Sequence, residues 1–302
     1  TVKDGDKTLT QGTDYTITYS NNTNAGTATI TITGTGNYSG TTTKTFVINK
    51  AKLTPSATSN TKVYDGTTTA TGTVTLDGAV NSENPTVSAV TVFTFANATA
   101  GTGKTVYVTN IELDSTWTKN YELTTNTLTL SNGAINKATL TATYAGDEVD
   151  FGETPNLAIE VTGFVNSETV ETAAGYTAPQ LTIKDKNGKT VTTSDLTVSG
   201  SPYIGTPTGG AATNYNFKYV QGTLVINEYQ ADVTIILNPT TFTYDGTAKK
   251  PTVTVTDKKT GSELVNGTDY TFEYSNNTNA GTATVTITLK GNYSGTATKT
   301  FT

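Results

Sequence analysis

With no histidine and no cysteine among its 302 residues, the chain can do side-chain chemistry only through carboxylates, lysines, amides and aromatics. That removes Ser-His and Cys-His nucleophile systems and the usual zinc sites. The densest acidic group is Asp147, Glu148, Asp150 and Glu153 in YAGDEVDFGE, which offers oxygen ligands of the kind calcium takes. Its spacing lacks the Gly-broken DxDxDG order of a calcium loop, so a solvated acidic loop competes with a metal site. A glycosidase pair would need two carboxylates flanking a cleft, and nothing else in the sequence builds one. Trp117, the only Trp, lies in DSTWTKNYEL, where it could stack on a sugar ring or serve as a tucked hydrophobic anchor.

A fourth chemistry joins lysine to asparagine. A buried neutral Lys can attack a carboxamide beside a proton-shuttling acid and lock a strand packet with an isopeptide bond. Lys52 with Asn120, and Lys137 with Asn214, have the first-strand to last-strand placement this needs. Glu228 stands where the pattern would ask the last segment for a lysine, so the device is not general.

The elements that must position these residues are strands. Thr makes up about a quarter of the chain, and β-branched Thr favours extended backbone. Only 34% is hydrophobic and 15% charged, a composition close to that of disordered chains, but Val, Ile, Tyr and Phe alternate regularly with Thr, which disorder does not require. The rows TATITITGT and TATVTITL have the look of flat ice-binding arrays; the twist of sandwich sheets works against such a lattice match. The net charge of −6 and scattered lysines leave no phosphate-binding stripe, so nucleic acid is not an expected partner. The longest apolar run, VTIIL, is strand-sized, so no membrane insertion is expected of these residues.

The chain also repeats itself. Residues 12–46 return as residues 267–301 with six differences: Ile17/Phe272, Thr18/Glu273, Ile30/Val285, Gly34/Leu289, Thr35/Lys290 and Thr42/Ala297. Ile48-Asn49-Lys50, Ile135-Asn136-Lys137 and Ile226-Asn227-Glu228 mark three joints with no spacer between strands. Cut there, the chain gives four modules: 1–48, a partial module lacking its first strands, then 49–135, 136–226 and 227–302. An aromatic-Gly turn recurs near module starts (Tyr64-Asp65-Gly66, Tyr244-Asp245-Gly246, and more loosely Tyr144-Ala145-Gly146 with Phe151-Gly152). An Asn-Tyr pair recurs before closing strands (Asn37-Tyr38, Asn120-Tyr121, Asn214-Tyr215, Asn292-Tyr293). Asp-Gly supplies a turn and the Tyr a packing peg.

This predicts an all-β chain of tandem small antiparallel β-sandwich, Ig-like modules in an elongated rod, about 120–160 Å long if each module spans about 35–45 Å. The third module could be grasp-like, with a short helix at SETVETAAG (167–175). The absence of an initial Met and the start inside a module point to a piece of a longer protein.

KVYDGTTTA, GTGKTVYV and KNYEL make residues 49–135 resemble the YDG-type module of bacterial surface proteins. KATLTATY, FGETPNL, VTGFVNSE and NYNFKYVQGTLVIN make residues 136–226 resemble the MBG-type module, although YAGDEVDFG is more acidic than that pattern. The terminal segments, with TYDGTAKKPTVTV, GTDYTFEYSNN and KGNYSGTATKTF, are similar to Ig-like repeats of Firmicute surface proteins. The resemblance implies an extracellular, cell-surface or secreted location. It implies a stalk or spacer role in a large adhesin, with neighbouring modules of the same chain as partners and no enzymatic activity. The competing expectation is a module that itself binds a host glycan or mucin, at Trp117 or the acidic loop.

Overall fold

The computed structural model describes all residues, 1–302, and the chain is all-β: strands, turns and only two single-turn 3-10 helices, Thr193–Asp195 and Val198–Gly200. It divides into two compact units, Thr1–Ala138 and Thr139–Thr302.

In the first unit, residues 15–48 form an antiparallel three-stranded sheet, Tyr15–Ser20, Gly26–Gly34 and Thr41–Ile48. Two sheets follow. One, in spatial order, holds Lys62–Val63, Leu128–Asn136, Gly101–Thr109, Val92–Phe95 and Thr69–Ala70; the other holds Tyr121–Leu123, Ala51–Ser59 and Gly72–Asp77. Leu53, Phe95, Val106, Val108, Ile111 and Tyr121 fill the space between them. Every second residue of the central strands points inward, the period-2 rule that the alternating sequence obeys.

The second unit opens with the same plan. A five-stranded sheet runs Asp147–Asp150, Gly222–Asn227, Tyr203–Thr208, Gln180–Lys184, Thr190–Val191. A three-stranded sheet runs Ile159–Thr162, Ala138–Tyr144, Tyr215–Val220. Apart from one edge strand this is the order found in residues 51–136; that edge strand, Thr69–Ala70, precedes its neighbour Val92–Phe95 in the chain, whereas Thr190–Val191 follows its neighbour Gln180–Lys184. In both, a short early strand pairs parallel with the last one (Lys62–Val63 with Ile135 and Asn136; Asp147–Asp150 with Leu224–Asn227). Residues 167–175 are turns and no helix: Asn166 and Ser167 take φ of 52° and 58°, outside helical space, and Thr172 and Ala173 both return to Thr169 in one isolated turn. The grasp-like alternative therefore loses its helix.

Residues 229–302 pair a hairpin, Val233–Asn238 with Thr252–Asp257, over the sheet Tyr270–Ser275, Ala283–Leu289, Thr296–Phe301. Val255, Val285 and Ile287 are fully buried between the two. Residues 1–48 carry the near-identical sheet without a counterpart of that hairpin. Ile30 and Ile32, which match Val285 and Ile287, are accordingly only half-buried, and Phe46 and Val47 are exposed.

Candidate functional site

The acidic residues do not converge. Asp147 Oδ1 accepts from the Glu148 N–H at 3.0 Å and its Oδ2 from the Asn156 N–H at 2.7 Å, so this carboxylate ties down its own loop. Glu148 accepts from Asn227 Nδ2 at 2.9 Å across the parallel pair, Asp150 is exposed, and Glu153 faces Lys259 at 3.9 Å. Nowhere does a group of three acidic side chains come together as metal ligands. The candidate calcium site thus has no ligand set, because the carboxylates are drawn to different partners: Asp147 to Asn156, Glu148 to Asn227 and Glu153 to Lys259.

The proposed isopeptide pairs lack the burial that the chemistry needs. Lys52 and Lys137 are exposed, whereas an attacking lysine must be desolvated to become neutral. Lys52 stands beside Glu122 in the ladder, and the Asn120 carboxamide is engaged elsewhere. Asn214 is buried, at 6% exposure.

What the structure assembles instead is a joint. Asn120 Oδ1 accepts from the Ala25 N–H at 3.0 Å, and Asn120 Nδ2 donates to Asn24 Oδ1 at 2.9 Å. Asn24 and Ala25 belong to the NNTNAG hairpin loop of the preceding module. Lys50 Nζ reaches the Thr118 carbonyl at 2.5 Å nearby. The carboxamide is placed by a second bond through its own backbone: the Ala51 N–H donates to the Asn120 carbonyl at 2.9 Å, which starts the parallel pairing of Tyr121 with Ala51. Trp117 sits half-buried in the turn leading into Asn120, its ring 6.1 Å from Tyr121 in an edge contact. It is partly a packing residue of this joint.

The second unit repeats the arrangement with different partners. The Tyr229 N–H donates to the Asn292 carbonyl at 3.0 Å, Tyr229 pairs parallel with Tyr293, and Asn292 Oδ1 accepts from the Val198 N–H at 3.0 Å on the preceding module. Around it Tyr293 packs edge-on against Phe151 (5.7 Å) and Tyr229 (6.3 Å), while Lys259 lies 5.0 Å over the Tyr229 ring. In both joints the Asn of an Asn-Tyr pair reaches back across the module boundary while its main chain starts the next strand pair.

The Tyr has its own role. Tyr121 donates its hydroxyl to Glu83 and accepts from the Val80 N–H at 3.1 Å; Tyr215 donates to Glu168 at 2.5 Å and accepts from the Val165 N–H at 3.1 Å. Both receivers are the same tetrapeptide, Val-Asn-Ser-Glu, at 80–83 and 165–168. Asn81 and Ser82 (φ 53° and 59°), like Asn166 and Ser167, take left-handed conformations, and the Glu N–H closes each turn on the Val carbonyl at 3.0 Å. Two successive positive φ values make a type I′ turn, for which Asn is well suited. Ahead of each turn a glycine, Gly78 or Gly163, sits at φ of 103° or 100°. A Cβ there would come within 2.6 Å of the Lys52 carbonyl or 2.7 Å of the Thr139 carbonyl, so only glycine fits. Sequence reading took Tyr121 and Tyr215 as pegs without finding their turn; the repeated VNSE was the available signal.

The aromatic-Gly turns divide. Tyr64 is buried at 6% exposure and its N–H meets the Asn136 carbonyl at 2.8 Å. The counterpart in the next module is Phe151, bonded to Asn227, not Tyr144, which lies fully in the core. In the last module Phe242 takes the place, bonding the Thr302 carbonyl and packing 5.8 Å from Phe301, and Tyr244 stands 62% exposed. Tyr244 is thus no anchor, because ladder register and not the YDG motif selects the residue that enters the core. The aspartates keep the expected turn role. Asp65 Oδ1 accepts from the Thr67 N–H and hydroxyl (2.8 and 2.9 Å), and the Lys62 ammonium bonds it at 2.7 Å and pulls its pKa to about 2. Asp245 repeats this with Thr247 and Lys249, and the lysine holds it well below the usual carboxylate range.

Small sheets stitched together by paired asparagines define an all-β chain. Within it, the YDG domain family matches residues 48–128. Comparison with curated proteins returns no match. Among solved structures, the chain is similar to Drosophila N-cadherin EC1-4 at 11% identity, covering 91% of this chain and 81% of that one, with a TM-score of 0.27. It is also similar to protocadherin gammaB7 EC3-6, a cis-dimer structure, at 12% identity, 91% and 83% coverage, and a TM-score of 0.24.

Proposed function

We propose that these modules are spacer repeats of a bacterial surface or secreted adhesin, holding a binding head away from the cell. The observation that carries the reading is the joint. The strand Thr41–Ile48 gives way to Ala51–Ser59 after two residues, and Asn120 then bonds back to Asn24 and Ala25. The strand Gly222–Asn227 gives way to Tyr229–Gln230 after one, and Asn292 bonds back to Val198. A spacer needs this: a flexible linker would let consecutive modules swing and shorten the reach of whatever they present. The YDG match at residues 48–128, and the resemblance of the flanking segments to MBG-type and Ig-like surface repeats, support a bacterial, extracellular setting in this reading.

A glycan array probed with the whole chain and with Trp117→Ala tests the reading. A spacer gives no saturable glycan signal in either protein. A saturable signal that disappears with Trp117→Ala would replace the spacer by a glycan-binding module.

A further inference from the structure

From the two copies of one loop we infer that the last module carries a docking surface, Asn279–Ala280, for the Asn-Tyr turn of a further YDG-type module.

The loop sequence SNNTNAGTAT occurs at 20–29 and again, unchanged, at 275–284. The two loops also share their positive-φ positions: φ is 53° at Asn21 and 56° at Asn276, 132° at Gly26 and 134° at Gly281. In the first copy the loop is occupied, by the Asn120 carboxamide on Ala25 N–H and Asn24 Oδ1, and both loop residues are half-buried. In the second copy Asn279 and Ala280 are exposed and line an open cleft of about 310 Å³ with Phe242, Lys249 and Thr302. The second loop is additionally tied to its own module, where Asn277 and Lys249 exchange bonds at 2.7 Å, but these leave Asn279 and Ala280 exposed, so the same sequence with the same positive-φ positions offers the same N–H and side-chain oxygen to the same visitor.

The chemistry of that visitor is specified. It must accept a hydrogen bond from a backbone N–H and donate one to an amide oxygen from a single planar group, which a carboxamide does and a carboxylate does not. In this chain the group that meets the loop is Asn120, held at the correct height by the Ala51 N–H bond to its carbonyl and by the Tyr121 packing behind it. The Asn292 joint uses a different receiver, the Val198 N–H, so in this chain the one carboxamide seen on a NNTNAG loop comes from the YDG-type module. The inference does not rest on the spacer reading, since it follows from the paired loops alone.

The test is amide hydrogen exchange on the 302-residue chain and on the same chain extended after Thr302 by a second copy of residues 48–136. Exchange at Ala280 slows about five- to tenfold in the extended protein, the effect of one ordinary hydrogen bond. It returns to the original rate when the appended copy carries Asn120→Ala, and equally with Asn279→Ala on the receiving side should the first variant fold poorly. Within the unextended chain, Asn120→Ala speeds exchange at Ala25 by a similar factor. Unchanged exchange at Ala280 in the extended protein, with the appended module's core amides protected, overturns the inference. Protection that survives both substitutions does so too.

Discussion

Ala25 donates its N–H to Asn120 Oδ1 at 3.0 Å although ninety-five residues separate them in the chain. The bond crosses from one strand packet to the next, and the same carboxamide uses its nitrogen on Asn24 at 2.9 Å. One side chain thus satisfies both halves of its hydrogen-bonding capacity on the neighbouring module.

Removing that side chain should loosen the joint without unfolding either packet. Asn120→Ala is expected to lose about 1–3 kcal/mol of coupling, two hydrogen bonds of ordinary net strength. Asn120→Asp should lose nearly as much, because a carboxylate cannot donate to Asn24 Oδ1. Differential scanning calorimetry checks this: the melting of residues 1–48 shifts and broadens, while that of the YDG-type module moves little.

Tyr121→Phe and Tyr215→Phe keep the ring in the core and remove the hydroxyl from the VNSE turn. Each leaves a Val N–H and a Glu carboxylate without their tyrosine partner, at a cost of about 1–2 kcal/mol in denaturant unfolding. Tyr144→Phe serves as the contrast: its hydroxyl is buried and has no hydrogen-bond partner. Its loss should be neutral or stabilising.

Phe242→Ala should destabilise the last module by about 3 kcal/mol, because the ring packs against Phe301. Tyr244→Ala, at a residue 62% exposed, should change stability by less than about 0.5 kcal/mol. Equal effects would mean that the YDG tyrosine is an anchor after all.

Asp65 has its pKa lowered from 3.8 to about 2, first by the Lys62 ammonium. A depressed folded-state value means the stabilisation is present above the unfolded value near 3.8 and is lost as pH falls through about 2. With the Asp65 side chain 52% exposed, solvent screening keeps the effect well under 1 kcal/mol. Asp65→Asn should therefore flatten the stability profile slightly between pH 4 and pH 2, and added salt should shrink the difference between the two proteins.

The strands were legible because alternation of Val, Ile and Tyr with Thr fixes which face is buried, and Ala283, Val285 and Ile287 are buried as that rule requires. The Asn-Tyr pairs were legible as marks, but the role of the amide was not. Asn120 acquires its partners only when Asn24 and Ala25 arrive from another module, and no local pattern encodes that meeting. The VNSE turns were hidden for a similar reason, since their tyrosines lie 38 and 47 residues beyond the glutamates. Tyr64 and Tyr244 share one motif and differ in burial because pairing register decides which aromatic enters the core. The acidic cluster misled because its carboxylates are taken up by separate partners, Asn156, Asn227 and Lys259, that no local pattern reveals.

The stiffness of the joint is most directly measured by electron-electron distance spectroscopy across it. The chain has no native cysteine, so spin labels at Thr43→Cys and Thr73→Cys report cleanly on the two modules that Asn120 connects. A single narrow distance distribution that widens with Asn120→Ala is the predicted result. A broad distribution in the otherwise unaltered chain, unchanged by that substitution, would contradict the account.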